Sequence, residues 1–176
     1  FSKWGSAATA GFVASAAQAS RIYRQYDAAY ADRLLAAASL SYGYLTANTA
    51  NVSADMSDFN EQQYQTTDID DRIWAAAEMW ETTGESAALS DFETRIQNQP
   101  SSGGRPAALF ETEWDWPNLK NLGVHTYLKS TRSGKNSSLV ERLEQALITA
   151  ADGIVNTSMQ GTEGYGRAYT SYYWGS

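Results

Sequence analysis

The chain has 176 residues and a formal net charge of -7, from 13 basic and 20 acidic side chains. This length suits one domain, and a hydrophobic share of 43% excludes a disordered chain. The scattered basic residues argue against a nucleic-acid-binding protein, because phosphate contact needs clustered Lys and Arg. The lack of cysteine excludes disulfides, thiolate metal sites and cysteine nucleophiles, and no apolar run approaches the roughly 20 residues of a membrane span.

Two helices are predicted in the first third of the chain. The first begins near Ser6 and runs to residue 23. Its apolar stripe is predicted to comprise Phe12, Ala16, Ala19 and Tyr23. Asp27 is the predicted N-cap of the second helix, which runs past Leu45. The polar stretch that follows is long, and loops of that length are usually functional or disordered.

Four more helices are predicted downstream. The third follows a group of aspartates and ends at Gly84, and the fourth starts at Ser86 or Ser90. The fifth spans about 118–130, and the sixth starts at 136 or 137 and reaches at least Ile154. Residues 157–176 show no helical period and are predicted to form an extended, aromatic loop. Six helices in short-linked pairs predict an all-α chain of three αα-hairpins.

Two acidic segments are the strongest signal for a site. Asp68, Asp70 and Asp71 open the third helix, where free N–H groups and the helix dipole favour one or two carboxylates for local reasons. Asp115 lies between two tryptophans in a second segment, just before the fifth helix. Hard oxygen ligands from two loops are what calcium requires. We therefore predict that Asp70, Asp71 and Asp115 meet in space.

Aromatic side chains are abundant, with 6 Trp, 11 Tyr and 5 Phe. Such a set suits either stacking on a carbohydrate ring or ordinary core packing, and for a single ring core packing is the more common role.

Several segments of the chain together resemble glycoside hydrolase family 9, and within it bacterial cellulosome-type endoglucanases. They are WGSAATAGFVASAAQASRIYRQYDAAYADRLLAAA, DIDDRIWAAAEMWETTGE, WDWPNLKNLGVHTYL, AADGIVNTS and GYGRAYTSYYWGS. The resemblance implies an (α/α)6 barrel that hydrolyses β-1,4-glucosidic bonds with inversion. Residues 1–176 are then a partial catalytic domain, with three helical hairpins forming about half of the barrel and an aromatic C-terminal loop.

The same resemblance implies that the catalytic groups lie elsewhere. The family's DAGD-type motif, which carries the base, is expected before this segment, and the Asn-Glu motif that carries the general acid is expected after it. No catalytic residue is therefore assigned here, and the isolated segment is expected to be inactive. The resemblance does imply a structural calcium ion. Its ligands map onto Asp70, Asp71 and Asp115, with the carbonyls of Thr66 and Thr67.

The aromatic C-terminal segment is similar to the family segment that runs along the substrate groove. This likeness makes Trp174 and Tyr173 the expected sugar-binding residues, with packing inside the barrel as the open alternative. The implied partners are β-1,4-glucan and the remainder of the catalytic domain, in a secreted bacterial protein. An isolated half barrel would expose apolar flanks, which favours self-association. A non-catalytic carbohydrate-binding or helical scaffold module is the alternative function.

Overall fold

The computed structural model describes residues 4–58, 66–101, 107–112 and 118–160, and regular structure in these ranges is entirely helical. The helices are α1 (Ser6–Tyr23), α2 (Ala28–Ala47), α3 (Ile69–Thr83), α4 (Ser86–Gln97), α5 (Lys120–Lys129) and α6 (Ser137–Gln160). The predicted all-α class and its six helices are confirmed. In the part of the chain covered by these ranges, none of the helices is both long and apolar enough to cross a membrane.

The ends of the helices follow local chemistry closely. The Asp27 carboxylate accepts the backbone N–H of Tyr30 at 2.8 Å and caps α2 as predicted. Gly84 ends α3 with φ of 75°, a left-handed conformation that glycine adopts without strain. The prediction for α6 was wrong at its C-terminal end, because 157–160 are helical. No glycine or proline interrupts the sequence between Gly153 and that end, so the helix continues.

α1, α3 and α5 pack side by side, with α3 in the middle of the row. α2 packs on α1 and α4 packs on α3, and the short links between the members of each pair make them antiparallel neighbours. α6 touches α5 only lightly. Most of α3 is buried, whereas α2 and α6 bury three residues each. The odd-numbered helices therefore form an inner row with α2 and α4 packed outside it.

The buried face of α1 differs from the predicted stripe. Phe12 and Tyr23 are 48% and 47% exposed, so that prediction was wrong for both aromatics. The residues that are buried are small: Ser6, Ala10, Val13, Ala14, Ala16, Ala17 and Ser20. α1 contacts both α2 and α3 along its length, and helix axes can approach closely only through small side chains. The two large rings consequently lie at the edge of the contact, where Tyr23 packs against Tyr30 of α2 with ring centroids 5.4 Å apart.

A buried carboxylate links the three inner helices. Glu78 of α3 is fully buried and forms a salt bridge with Arg21 of α1. Its other oxygen accepts the Thr126 hydroxyl of α5 at 2.6 Å and the indole N–H of Trp74 at 3.2 Å. Burial of a charge is tolerated only when it is paired and hydrogen-bonded, so Glu78 requires all three helices to be in place.

Apolar side chains are exposed at both ends of the helix row. A groove of about 700 Å³ lies between the start of α1 and the end of α2. Its larger apolar side chains are Trp4, Phe12, Leu40 and Tyr44. At the other end, α6 exposes Ile148, Val155 and Met159. Exposed apolar surface of this kind marks contact sites when it is contiguous.

Gly123 of α5 tests the closeness of the inner row. A Cβ atom at this position would lie 3.0 Å from Trp74 Cα and 3.1 Å from the Ile73 carbonyl oxygen, both in the backbone of α3. Gly123→Ala should therefore force the two helices apart and lower the free energy of unfolding by about 1–3 kcal/mol. Urea unfolding followed by circular dichroism measures this change.

Gly43→Ala is the matched control, because a Cβ at Gly43 of α2 meets no atom within 4 Å. This variant should gain about 0.5–1 kcal/mol, since alanine is the better helix former. Equal stability of the two variants would contradict the close packing of α3 and α5.

Candidate functional site

The N-terminal ends of α1, α3 and α5 lie along the same edge of the inner row. The backbone N–H of Ser6, the first residue of α1, donates to the Val52 carbonyl at 2.8 Å, which ties α1 to the segment that follows α2. The backbone N–H of Leu119, directly before α5, donates to the Asp70 carboxylate of α3 at 2.6 Å. The unpaired N–H groups of helix starts are thus satisfied by contacts between segments.

Three carboxylates are buried at this end of α3. Asp68 precedes the helix, and Asp70 and Asp71 lie in its first turn. Their exposed fractions are 3%, 9% and 7%. Helix starts favour acidic residues, but acidic residues are rarely so buried without a partner. The ion-pair and hydrogen-bond partners of each carboxylate therefore determine whether it is available to bind a cation.

Asp68 is neutralised by a guanidinium group from the same helix. Arg72 donates from Nε to Asp68 at 2.7 Å. The same group donates to the carbonyls of Leu45, Asn48 and Ala50, at 2.8, 3.0 and 3.3 Å. Leu45 belongs to the last turn of α2, where carbonyls lack helical partners. Arg72 therefore joins the end of α2 to the start of α3.

Asp70 and Asp71 have no such cation. Burial raises the pKa of Asp70, and the N–H of Leu119 and the charge of Lys120 oppose this rise. Burial, together with the neighbouring carboxylates of Asp70 and Asp68, raises the pKa of Asp71 to about 7. Asp71 faces α1, where a Cβ at Gly11 would lie 3.6 Å from its Oδ1. Asp70 and Asp71 thus form a site with an excess of negative charge.

The residue before Leu119 carries a buried oxygen atom that lacks a donor. The side-chain oxygen of Asn118 is buried and has no hydrogen-bond partner within the described structure. Asn118 adjoins Leu119, whose N–H contacts Asp70, and oxygen atoms of these kinds suit a hard cation such as calcium. Thr66 and Thr67 lie in the segment that leads into α3; Thr66 is half-buried and Thr67 is exposed.

Of the predicted ion ligands, the structure thus places Asp70 next to the segment entering α5 and Asp71 next to α1. Asp115, Tyr173 and Trp174 lie outside the described residues. Within the described ranges, no three His, Cys, Asp or Glu side chains are grouped to hold a metal ion. The acidic cluster alone supplies two carboxylates that lack an ion-pair partner, so a complete ion site needs further ligands.

The single histidine belongs to the packing of α5. The rings of His125 and Phe110 are perpendicular to each other, with centroids 5.4 Å apart. Burial and the nearby charge of Lys129 lower its pKa. A neutral ring in this setting is a packing residue, in agreement with the absence of ligand spacing around it in the sequence.

The sequence reasoning missed two residues of this end of the molecule. Arg72 lies four residues after Asp68, a spacing that places the two side chains on one helix face and signals an ion pair. Asn118 directly follows the Trp-Asp-Trp-Pro segment, but nothing local indicates that its oxygen lacks a donor. Nothing in the sequence indicated that Arg72 binds backbone carbonyls at the end of α2 and just after it.

Comparison with known proteins places the chain among glycosidases. The family model described as Glycosyl hydrolase family 9 matches residues 1–176. Endoglucanase D of Acetivibrio thermocellus is 48% identical over 177 residues, which cover 99% of this chain and 27% of that protein. A cellodextrinase of Butyrivibrio fibrisolvens is 28% identical over 183 residues, covering 97% of this chain and 32% of the relative. The chain thus spans less than a third of the length of these curated relatives.

A solved structure supports the same placement. A metagenome-derived glycoside hydrolase family 9 endoglucanase superposes with a TM-score of 0.73 at 29% identity. The match covers 92% of this chain and 28% of that chain. The six helices therefore correspond to a portion of the (α/α)6 barrel of this family, as predicted.

Asp71→Asn tests the charge excess at the acidic cluster. At pH 8, above the raised pKa of Asp71, the carboxylate is ionised and disfavours the folded state. In the presence of a chelator, the substitution should raise the free energy of unfolding by about 1–3 kcal/mol. Asp32→Asn, in an exposed ion pair with Arg24, is the control and should change stability by less than about 0.5 kcal/mol. A loss of stability in chelator would show that Asp71 is compensated.

Proposed function

The chain belongs to glycosyl hydrolase family 9, and we propose that it is part of the catalytic domain of an endoglucanase-type enzyme. The observation that carries the proposal is the family match, which extends over residues 1–176. The reaction is hydrolysis of β-1,4-glucosidic bonds with inversion, in a secreted bacterial protein. This chain supplies helical scaffold, a structural calcium site and part of the glucan groove.

The general acid and the general base of this reaction lie in the rest of such a protein. Inversion requires two carboxyl groups about 6.5–9.5 Å apart, with room between them for the sugar and a water molecule. The acidic cluster of α3 does not suit that task, because Asp68 is paired with Arg72 and Asp70 binds the Leu119 N–H. Relatives that are more than three times as long as this chain leave ample sequence for the catalytic pair.

The two exposed flanks support a contact with the remainder of the domain. In a closed ring of helical hairpins, each hairpin is covered on both sides. The Trp4–Tyr44 groove and the outer face of α6 are the surfaces at the ends of the row. We propose that they pack on neighbouring hairpins in the whole enzyme. In the isolated chain, the same surfaces favour self-association.

A structural calcium ion at the acidic cluster is the second part of the proposal. Asp70 and Asp71 would hold it with the carbonyls of Thr66 and Thr67, and Asp115 would complete the carboxylate set. The buried, unpartnered oxygen of Asn118 and the excess of negative charge support a cation here. A bound calcium would neutralise the buried carboxylates and would tie the segment before α3 to that before α5.

Calcium should stabilise the folded chain. If the ion binds only the folded state, stability rises with its concentration and gains about 2.7 kcal/mol at a hundredfold excess over Kd. The melting temperature, measured by differential scanning fluorimetry, should therefore rise with added calcium and fall on chelation. Asp115→Ala and Asp71→Asn should each abolish this dependence.

Asp58→Asn is the control for the calcium response, since Asp58 is an exposed acid in the segment after α2. Its melting curve should follow calcium as the unaltered chain does. A melting temperature that ignores both calcium and chelator would remove the ion site from the proposal but leave the family membership intact.

Glucan binding is the third part of the proposal, with Trp174 and Tyr173 as the sugar platforms. Flat aromatic faces stack on the C–H face of a pyranose, which suits a family that acts on β-glucan. No catalytic role is assigned to either residue. The position of both rings remains a prediction.

Cellohexaose binding to the chain tests this platform by isothermal titration calorimetry. Trp174→Ala should weaken binding by about tenfold, the equivalent of 1.4 kcal/mol, and Tyr173→Ala should have a smaller effect. Tyr26→Ala is the control, because Tyr26 is 77% exposed between α1 and α2. Equal affinities of all three variants would contradict the platform.

Release of reducing sugar by the isolated chain would contradict the placement of the acid and base elsewhere. Binding of glucan without hydrolysis also fits a non-catalytic carbohydrate-binding module.

A further inference from the structure

Arg72 has an unusual set of partners for a residue in the first turns of a helix. Its side chain is 4% exposed and carries a charge that needs full compensation. One carboxylate and three backbone carbonyls supply it, the carbonyls lying 22 to 27 residues earlier in the chain. The planar guanidinium group has five N–H donors in a fixed fork, which a lysine cannot reproduce.

The segment after α2, residues 48–52, includes two carbonyl partners of Arg72 and also contacts the starts of two inner helices. Asn51, next to Ala50, accepts the backbone N–H of Asp68 at 3.0 Å. Val52 exchanges hydrogen bonds with Ser6 at the start of α1. Movement of this segment would therefore shift the start of α3 relative to α1, and Asp71 faces α1 beside Gly11.

We propose that Arg72 is a positioning residue for the cation site, an inference that rests on the calcium site of the proposed function. The ion pair with Arg72 keeps Asp68 from binding the cation. The contacts of Arg72 also fix the backbone that carries Asp70 and Asp71. The site then presents Asp70 and Asp71 to the cation, without the carboxylate of Asp68. Asp68 is a partner of Arg72 and not a ligand.

The alternative is that Arg72 only stabilises the fold. A purely structural role would lower the stability of the whole chain, but it would leave the calcium affinity of the folded state unchanged. Residues that orient metal ligands typically change metal affinity by about 10–100-fold when substituted. Calcium affinity and the local opening of the site therefore separate the two roles.

The experiment compares Arg72→Lys with Arg95→Lys in the 176-residue chain. Arg95 is the matched control, since its Nε contacts Asp91 at 2.8 Å with the same four-residue spacing on α4, away from the acidic cluster. Calcium Kd is measured by isothermal titration calorimetry. Hydrogen exchange of the Leu119 amide, which is bonded to Asp70, is measured by NMR in chelator, relative to the Phe92 amide of α4.

Arg72→Lys should raise the calcium Kd by about tenfold or more. It should also speed exchange of the Leu119 amide by about tenfold relative to the Phe92 amide, because Asp70 is less firmly placed. Arg95→Lys should change both quantities by less than about twofold. Unchanged values for Arg72→Lys in both measurements would overturn the proposal.

Asp68→Asn provides a second variant if Arg72→Lys does not fold. The amide oxygen still accepts the Nε–H of Arg72, while the charge is removed. Calcium Kd should rise far less than in Asp71→Asn, which should abolish binding, because Asp68 acts on the site only through Arg72. A loss of affinity in Asp68→Asn equal to that in Asp71→Asn would make Asp68 a ligand and overturn the proposal.

The two proposals fail in different ways. If the unaltered chain binds no calcium, the ion site of the proposed function is wrong, and the exchange of the Leu119 amide alone decides the role of Arg72. Faster exchange in Arg72→Lys then supports a positioning role for the acidic cluster without the ion. Unchanged exchange removes both proposals.

Discussion

The fold depends on the need to compensate the carboxylate of Glu78, which is buried at the centre of the inner row. The three groups that surround it come from α1, α3 and α5, so the carboxylate has its partners only when these helices are assembled. The alanine side chains along α1 and α3 are small and alike, so they distinguish one register from another only weakly. The polar contacts of Glu78 define one register between the helices.

That register explains why the acidic cluster lies where it does. Once α3 is fixed against both neighbours, its N-terminal turn lies between the starts of α1 and α5. Asp71 then faces Gly11, and Asp70 reaches the N–H of Leu119. Burial of these carboxylates, with repulsion from neighbouring carboxylates at Asp71, opposes folding, and the packing of the inner row offsets that cost. A bound cation would reduce this cost, because it would relieve the repulsion.

The same architecture accounts for the exposed flanks. A row of helical hairpins buries its middle member on both sides, which is why α3 is almost fully covered. The outer members have one neighbour each, and their remaining faces carry apolar side chains such as Leu40 and Met159. In a closed (α/α)6 ring, every hairpin has two neighbours. The pattern of burial in this chain is that of a ring portion, in agreement with its match to family 9 structures.

The sequence by itself determined the class of the protein and the positions of its six helices, because caps such as Asp27 and stops such as Gly84 act within a few residues. It also pointed to Asp70 and Asp71, through their order before an apolar helix. Only the tertiary structure decided that α1 buries its small residues and exposes Phe12, and that Arg72 binds carbonyls of α2. Those outcomes depend on which distant segments come into contact. Arg72 and Leu45 are 27 residues apart, and local sequence spacing does not indicate that they meet.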